Sequence, residues 1–208
     1  MDFLVENAIR TSEQNKVVEL EVGQANIKVI GVGGAGNNMV GWLYNKGIKG
    51  AEILACNTDK QHLDMINADR KFLTGKTITK GLGCGGFPEK GADAAKESLQ
   101  EIKECLKGSD MVFVCAGMGG GTGTGGAPVI AQVAKSTGSI VIGTVTMPFK
   151  IERARVDKAE FGLQQLRQVS DTVIVIDNNR LVKIAGNLPI QQAFAVADEL
   201  VATMIKGI

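Results

Sequence analysis

The chain has 208 residues, 44% of them hydrophobic, with 23 Lys and Arg against 22 Asp and Glu for a net charge of +1. A chain of this length buries roughly 70% of its unfolded surface on folding, and its charge balance excludes nucleic acid and anionic membrane as main partners. No apolar run approaches the ~20 residues of a membrane span, and Met1-Asp-Phe-Leu-Val-Glu6 lacks the basic start of a signal peptide, so a soluble cytoplasmic protein with no direct membrane insertion is expected.

Residues 1–20 are polar and weakly patterned, an extension read as either a short helix or a disordered stretch. Short apolar runs rich in branched residues then alternate with helical patterns. Strands are predicted at Ile27–Ile30, Glu52–Cys56, Asp110–Cys115, Ser139–Val145 and Thr172–Ile176, and helices at Asn38–Asn45, Gly91–Leu106, Gly126–Ser136 and Ile151–Gln168. This rhythm predicts an α/β fold with a doubly wound parallel sheet. Cys56, Cys84, Cys105 and Cys115 show no zinc-ligand spacing and read as reduced packing thiols. His62, beside Gln61 and Asp64, reads as a solvated residue or a general base. A final apolar stripe through Ile190, Ala193, Phe194, Ala197, Val201 and Met204 predicts a helix of nearly twenty residues, a surface helix or one covered on both sides.

Open parallel sheets bind ligands where strands run into helices, and three glycine-rich loops bear on that. Gly31 to Gly36 matches G-x-G-x-x-G after a strand and before a helix, a pattern for a phosphate, a dinucleotide or simply a tight turn. Gly119 to Gly126 follows another strand and offers the hydroxyls of Thr122 and Thr124. Neither loop ends in Gly-Lys-Ser/Thr, so phosphate charge there would be offset by amides, hydroxyls and Mg²⁺. The third, Lys80 to Pro88, suits a flap over a terminal phosphate or an ordinary surface loop.

The run Gly119-Gly-Gly-Thr-Gly-Thr-Gly125 resembles the signature of the tubulin/FtsZ family of GTPases. Gly33-Gly-Ala-Gly-Asn-Asn38, Asn57-Thr-Asp59 and Gly81-Leu-Gly-Cys-Gly-Gly-Phe-Pro88 are similar in order and spacing to the cell-division branch of that family in archaea and bacteria. The resemblance implies a Rossmann-like GTP-binding domain over residues 1–208, ending in a long central helix at 189–208. It implies that Gly33, Gly34, Ala35, Gly36 and Asn37, with Gly120, Gly121, Thr122, Gly123, Thr124 and Gly125, hold the α- and β-phosphates of GTP or GDP. Gly83, Cys84, Gly85 and Gly86 then lie near the γ-phosphate, and Asn57, Asp59, Gly117 and Gly119 are further nucleotide-contact residues. Pro148, Glu152 and Arg155 fall to the sugar, and Asn178, Phe194 and Asp198 to the base. Phe194 and Asp198 are four apart and share a helix face. The ring can stack on a purine while the carboxylate accepts from guanine N1–H and the 2-amino group, donors that adenine lacks. Such a site discriminates by up to about 10⁴-fold. Phe194 suits a core position as well.

Two departures from the family pattern stand out. Pro148 to Arg155 lacks the glycine usual after Glu152 and is one residue shorter, and Asp177 stands where proline commonly precedes Asn178. Triphosphate hydrolysis also needs an oriented water. No acidic pair lies beside the loops, since Asp59 and Asp110 read as cap or turn residues, and no catalytic residue or protein metal ligand is assigned. The resemblance implies that the water is positioned by acids following the central helix, acting on the next subunit of a head-to-tail homopolymer. With the sequence given ending at Ile208, the expectation is a monomeric nucleotide-binding half without second domain or tail. It would bind GTP and GDP, with Mg²⁺ held mainly through phosphates and water, turn over little and form no filaments. The intact protein would assemble a division ring with other division proteins. Two other classes stay open: an NAD(P)-dependent oxidoreductase using Gly31 to Gly36, which leaves Gly119 to Gly126 unexplained, and a nucleotide-dependent scaffold that never hydrolyses.

Overall fold

The computed structural model describes residues 25–185 together with Glu199 and Thr203. Six strands are described: β1 (Ile27–Val32), β2 (Ala51–Asn57), β3 (Arg70–Leu73), β4 (Met111–Gly117), β5 (Ile140–Met147) and β6 (Thr172–Asp177). They form one sheet in the order β3-β2-β1-β4-β5-β6, every neighbouring pair parallel. The helices are α1 (Gly33–Asn45), α2 (Lys60–Met65), α3 (Lys76–Thr79), α4 (Pro88–Glu97), α5 (Leu99–Leu106), α6 (Thr122–Ser136), α7 (Ala154–Val169) and α8 (Asn178–Ala185), with a 3-10 turn at Lys150–Glu152.

The central strands are apolar on both faces because both faces are covered. Val29, Ile53, Ala55 and Phe113 pack on one side against Met39, Val40 and Leu43 of α1, Leu63 of α2 and Leu181 of α8. Ile30, Leu54, Val114 and Val141 pack on the other against Ile102 of α5, Ile130 of α6 and Leu166 of α7. Neighbours along each strand therefore serve opposite cores, as the two-residue side-chain period requires. β1 runs into α1 on one face and β4 into α6 on the other. The winding reverses between these adjacent strands, and a crevice opens at their carboxyl ends. Among the described residues, no helix is long and apolar enough to cross a membrane. All four cysteines are buried and free, as expected of packing thiols.

The elements differ from the sequence expectation where glycine is dense and where segments are short. Gly33 to Gly36 and Thr122 to Gly126 are the opening turns of α1 and α6 rather than loops, because tight packing overrides the low helix propensity of glycine. The single helix expected over Gly91–Leu106 is two, joined at Ser98 and started by Pro88 in the first turn of α4. The edge strand β3 went unread: in Arg-Lys-Phe-Leu only Phe72 is fully buried, too little for an alternation to show. The 1–20 extension and the 189–208 helix lie outside the described residues, apart from Glu199 and Thr203, both helical. Glu199 Oε2 accepts from Trp42 Nε1 and pairs with Lys46, each at 3.2 Å, so the chain at this point meets α1.

Candidate nucleotide-binding site

A cavity of about 580 Å³ occupies the crevice. α1 contributes Gly34, Ala35, Asn38 and Met39. The end of β4, the turn after it and the start of α6 contribute Gly117, Met118, Gly120, Gly121, Thr122 and Gly123. Thr146, Pro148, Phe149, Glu152, Arg155 and Asn178 close the far side. Both helices that start here lack a side-chain N-cap and have no acidic residue in the first turn. Their leading N–H groups have no intrahelical partner, and each helix dipole adds partial positive charge at the same place. Two uncapped N-termini from adjacent strands thus converge on one space that favours an anion.

The glycines divide by what a Cβ would strike. At Gly120 an added Cβ meets nothing within 4 Å, and at Gly34 it meets only His62 Nε2 at 3.9 Å, so these two face open space beside the cavity. At Gly86 an added Cβ also meets nothing, whereas at most glycines of the two helix starts protein fills the space. A Cβ on Gly121 would lie 2.6 Å from Cys84 Cβ, one on Gly123 2.6 Å from the Gly117 carbonyl oxygen, and one on Gly125 would overlap the Pro88 carbonyl of α4. A Cβ on Gly36 would overlap the Cys115 carbonyl, and one on Gly33 (φ +73°) would lie 2.9 Å from the Gly123 nitrogen. One on Gly119 (φ +95°) would lie 2.8 Å from the Arg155 carbonyl oxygen, and one on Gly117 would strike Ala35 Cβ. Most of the glycine run therefore lets backbone approach backbone and locks the two N-termini together; only a minority leaves room for a ligand.

Several of the expected residues hold the loops rather than line the cavity. Thr124, 1% exposed, accepts at Oγ1 from the Gly119 N–H (2.9 Å). Asn57 Oδ1 accepts from the N–H groups of Thr58 (2.9 Å) and Asp59 (3.3 Å), and Asp59 caps α2 by accepting from the His62 N–H (3.1 Å). Asp110 accepts from the Asn26 N–H, consistent with the turn reading. Gly83, Cys84, Gly85 and Gly86 form a turn beside the cavity, joined to it where the Thr58 and Thr122 hydroxyls share a 2.7 Å hydrogen bond and both approach Cys84 Sγ. Lys158 of α7 donates to the Gly86 carbonyl at 2.8 Å.

The shortened segment after Pro148 still delivers Glu152 and Arg155 to the cavity. Arg155 Nη1 donates to Glu152 Oε2 at 2.6 Å, while Glu152 Oε1 accepts from the Phe149 N–H at 2.9 Å. Asn178 is 8% exposed, and its Oδ1 has no partner among the described residues; the same holds for both amide atoms of Asn37, fully buried behind the α1 terminus. Asp177 caps α8 through Asn179. Burial opposes its ionisation, but hydrogen bonds from the Asn179 side chain and N–H, with Arg180 and Lys150 nearby, hold its carboxyl below the usual range. Phe194 and Asp198 lie outside the described residues. Sequence reasoning passed over Met118 and Thr146, which their places at the carboxyl ends of β4 and β5 signalled, and it left His62, half-buried beside Gly34, as a solvated residue or a general base.

A model of the Tubulin/FtsZ family, GTPase domain, matches residues 26–186. The chain belongs to this family. It is 56% identical over 205 residues to the cell division protein FtsZ 2 of Methanocaldococcus jannaschii, covering 99% of this chain and 54% of that protein. It is 54% identical over 188 residues to FtsZ 2 of Haloferax volcanii, covering 90% and 47%. The solved FtsZ dimer of M. jannaschii superposes with a TM-score of 0.85 at 46% identity over 94% of this chain and 57% of that one. A GTPgS-bound protofilament of CetZ2 from H. volcanii gives 0.78 at 26% identity over 87% and 57%. The chain spans about half the length of the curated relatives it matches. The two glycine-rich helix starts interlock, and the oxidoreductase reading, which used only the first, finds no support in a chain of this family.

Proposed function

We propose that this domain binds GTP and GDP in the crevice between β1 and β4 as the nucleotide-binding part of a filament-forming cell-division GTPase in the cytoplasm. The convergence of two uncapped helix N-termini on one cavity carries the reading. The leading amides of α1 at Gly34 and Ala35, and those at Gly120 to Thr122, cradle the phosphates, and the Gly83 to Gly86 turn covers the terminal one. Pro148, Glu152 and Arg155 face the sugar. Asn178 reads the base together with Phe194 and Asp198, and its unpartnered Oδ1 is a receptor for a ligand N–H. The names of the related proteins, a cell division protein and a GTPgS-bound protofilament, support both nucleotide and polymer.

The donor set fits Mg²⁺ only as a cation held by phosphate and water. No cluster of three His, Cys, Asp or Glu occurs among the described residues, and the one carboxylate lining the cavity, Glu152, is paired with Arg155. Bound Mg²⁺ would neutralise phosphate charge. Among the described residues no unpaired acid lines the cavity, which favours a hydrolytic water oriented by a neighbouring subunit in a head-to-tail filament and little turnover by the separate chains; a monomeric state for the chain alone is part of the same proposal. Thermal shifts with GTP, GDP, ATP and NAD test the reading, since a ligand at 100 times its Kd adds about 2.7 kcal/mol. Stabilisation by the guanine nucleotides and not by ATP or NAD is expected; a shift with NAD, or none with GTP, would overturn it.

A further inference from the structure

His62 is the single histidine of the chain, and its ring is fixed on one side and open on the other. Asn57 Oδ1 is occupied by the Thr58 and Asp59 N–H groups, so Nδ2 is the amide atom 3.3 Å from His62 Nδ1. An amide nitrogen only donates. Nδ1 must therefore accept, and the neutral imidazole carries its proton on Nε2. The backbone is held too, since the His62 N–H donates to Asp59 Oδ1. Nε2 has no hydrogen-bond partner among the described residues, and it lies 3.9 Å from the point a Gly34 Cβ would fill, at the uncapped N-terminus of α1. The tautomer is thus set in advance, with its free N–H beside the place where an anion would sit.

We propose that His62 is a further nucleotide-binding residue, whose Nε2–H donates to a phosphate oxygen of the nucleotide seated on the α1 N-terminus, and that Asn57 is the positioning residue that fixes its tautomer. This rests on the nucleotide reading above and gives buried Asn57 a task that needs no contact with the ligand. The inference predicts that His62→Ala raises the Kd for GTP and GDP by about tenfold, the lower end for a hydrogen bond to a charged group, because the ring is partly solvated. His62→Gln, which keeps a donor, restores most of that loss.

One imidazole makes the decisive measurement unambiguous. In the full chain labelled with ¹⁵N-histidine, the nitrogen shifts of the nucleotide-free protein report the Nε2–H tautomer, and Asn57→Ala converts it to a tautomeric mixture. Saturating GDP or GTP moves the Nε2 resonance and slows exchange of its proton; guanosine, lacking phosphate, does not. If wild type binds GDP while the ring resonances stay put, or His62→Ala binds as tightly as wild type, this inference is wrong and the site reading stands. If wild type binds no guanine nucleotide, both fall.

Discussion

Gly120 and Gly125 sit five residues apart in one glycine run, yet the structure gives them opposite tasks, and an alanine at each separates them. Gly125 is inside α6, where alanine would ordinarily add about 0.5–1 kcal/mol through helix propensity. Here its Cβ would overlap the Pro88 carbonyl oxygen and come within 2.7 Å of the Ala92 nitrogen, both backbone atoms of α4. Ordinary contact begins at 3.4 Å, so α4 and α6 must part by more than half an ångström across a buried seam. Overpacking of this kind costs about 1–3 kcal/mol, and more when no side chain can rotate away; after the propensity gain we expect a net loss of about 2–3 kcal/mol. In a domain of this size that lowers the melting temperature by roughly 4–12 °C. At Gly120 the added methyl meets nothing, so stability should change by no more than about 0.5 kcal/mol, while the methyl enters the cavity and weakens GDP binding at least about tenfold. Urea and thermal unfolding of the nucleotide-free protein, with calorimetric titration of GDP, measure both quantities. A Gly125→Ala protein as stable as wild type, or a Gly120→Ala protein that binds GDP normally, would refute the division of labour.

Asn178→Ala removes a buried carbonyl that bonds to nothing in the described structure, so it should leave the melting temperature unchanged or higher while raising the Kd for GTP by about 3–10-fold; equal affinity would remove Asn178 from the site. The Glu152–Arg155 pair is exposed enough that a double-mutant cycle on stability should return about 0.2–1 kcal/mol, whereas either alanine alone should weaken nucleotide binding, as titration would show. Asp171, at the head of β6, accepts from the Val141 N–H and from Lys135, which hold its carboxyl below the ordinary carboxylate value. Its contribution is present above the unfolded pKa of about 4 and disappears as the pH falls through the lower folded value. Asp171→Asn should therefore be less stable than wild type at pH 7 and lose less of its stability on acidification; parallel urea midpoints for the two proteins from pH 7 to pH 3 would contradict this.

The sheet was legible because its central strands are buried on both faces, and the branched runs at Ile27, Met111 and Ile140 carry that burial in their composition. The crevice was legible for a related reason: two glycine runs, each directly after such a strand, place helix starts at one edge of the sheet. The tasks of the individual glycines were not. Whether a Cβ at Gly33, Gly121 or Gly125 would strike protein or ligand depends on Gly123, Cys84 and Pro88, tens of residues away, and no local pattern encodes that distance. The surroundings of His62 were hidden for the same cause: its neighbours in sequence are polar, but its neighbours in space are Asn57, whose Nδ2 lies 3.3 Å from its Nδ1, and Gly34 at the start of α1.

That interlocking bears on how the site can work. Gly33 against the Gly123 nitrogen, Gly36 against the Cys115 carbonyl and Gly123 against the Gly117 carbonyl are backbone contacts, with no rotamer to absorb a shift. The two N-termini therefore move as one body, and little ordering entropy remains to be lost when phosphate arrives. The turn at Gly83 to Gly86 is built otherwise. It has a backbone tie, the Gly83 N–H to the Thr58 carbonyl at 3.0 Å, and beyond that it is held by the Lys158 donor to the Gly86 carbonyl and by a three-way contact of Thr58, Thr122 and Cys84, side-chain interactions that can exchange partners. A phosphate oxygen that accepted from the Thr122 hydroxyl would compete with the contacts this group makes to Thr58 and to Cys84 Sγ. Backbone packing at the glycines holds the two helix termini together, and exchangeable side-chain contacts supply much of the hold on the turn beside them, so on the proposed nucleotide reading a response to the number of phosphates would belong to that turn and not to the helix termini.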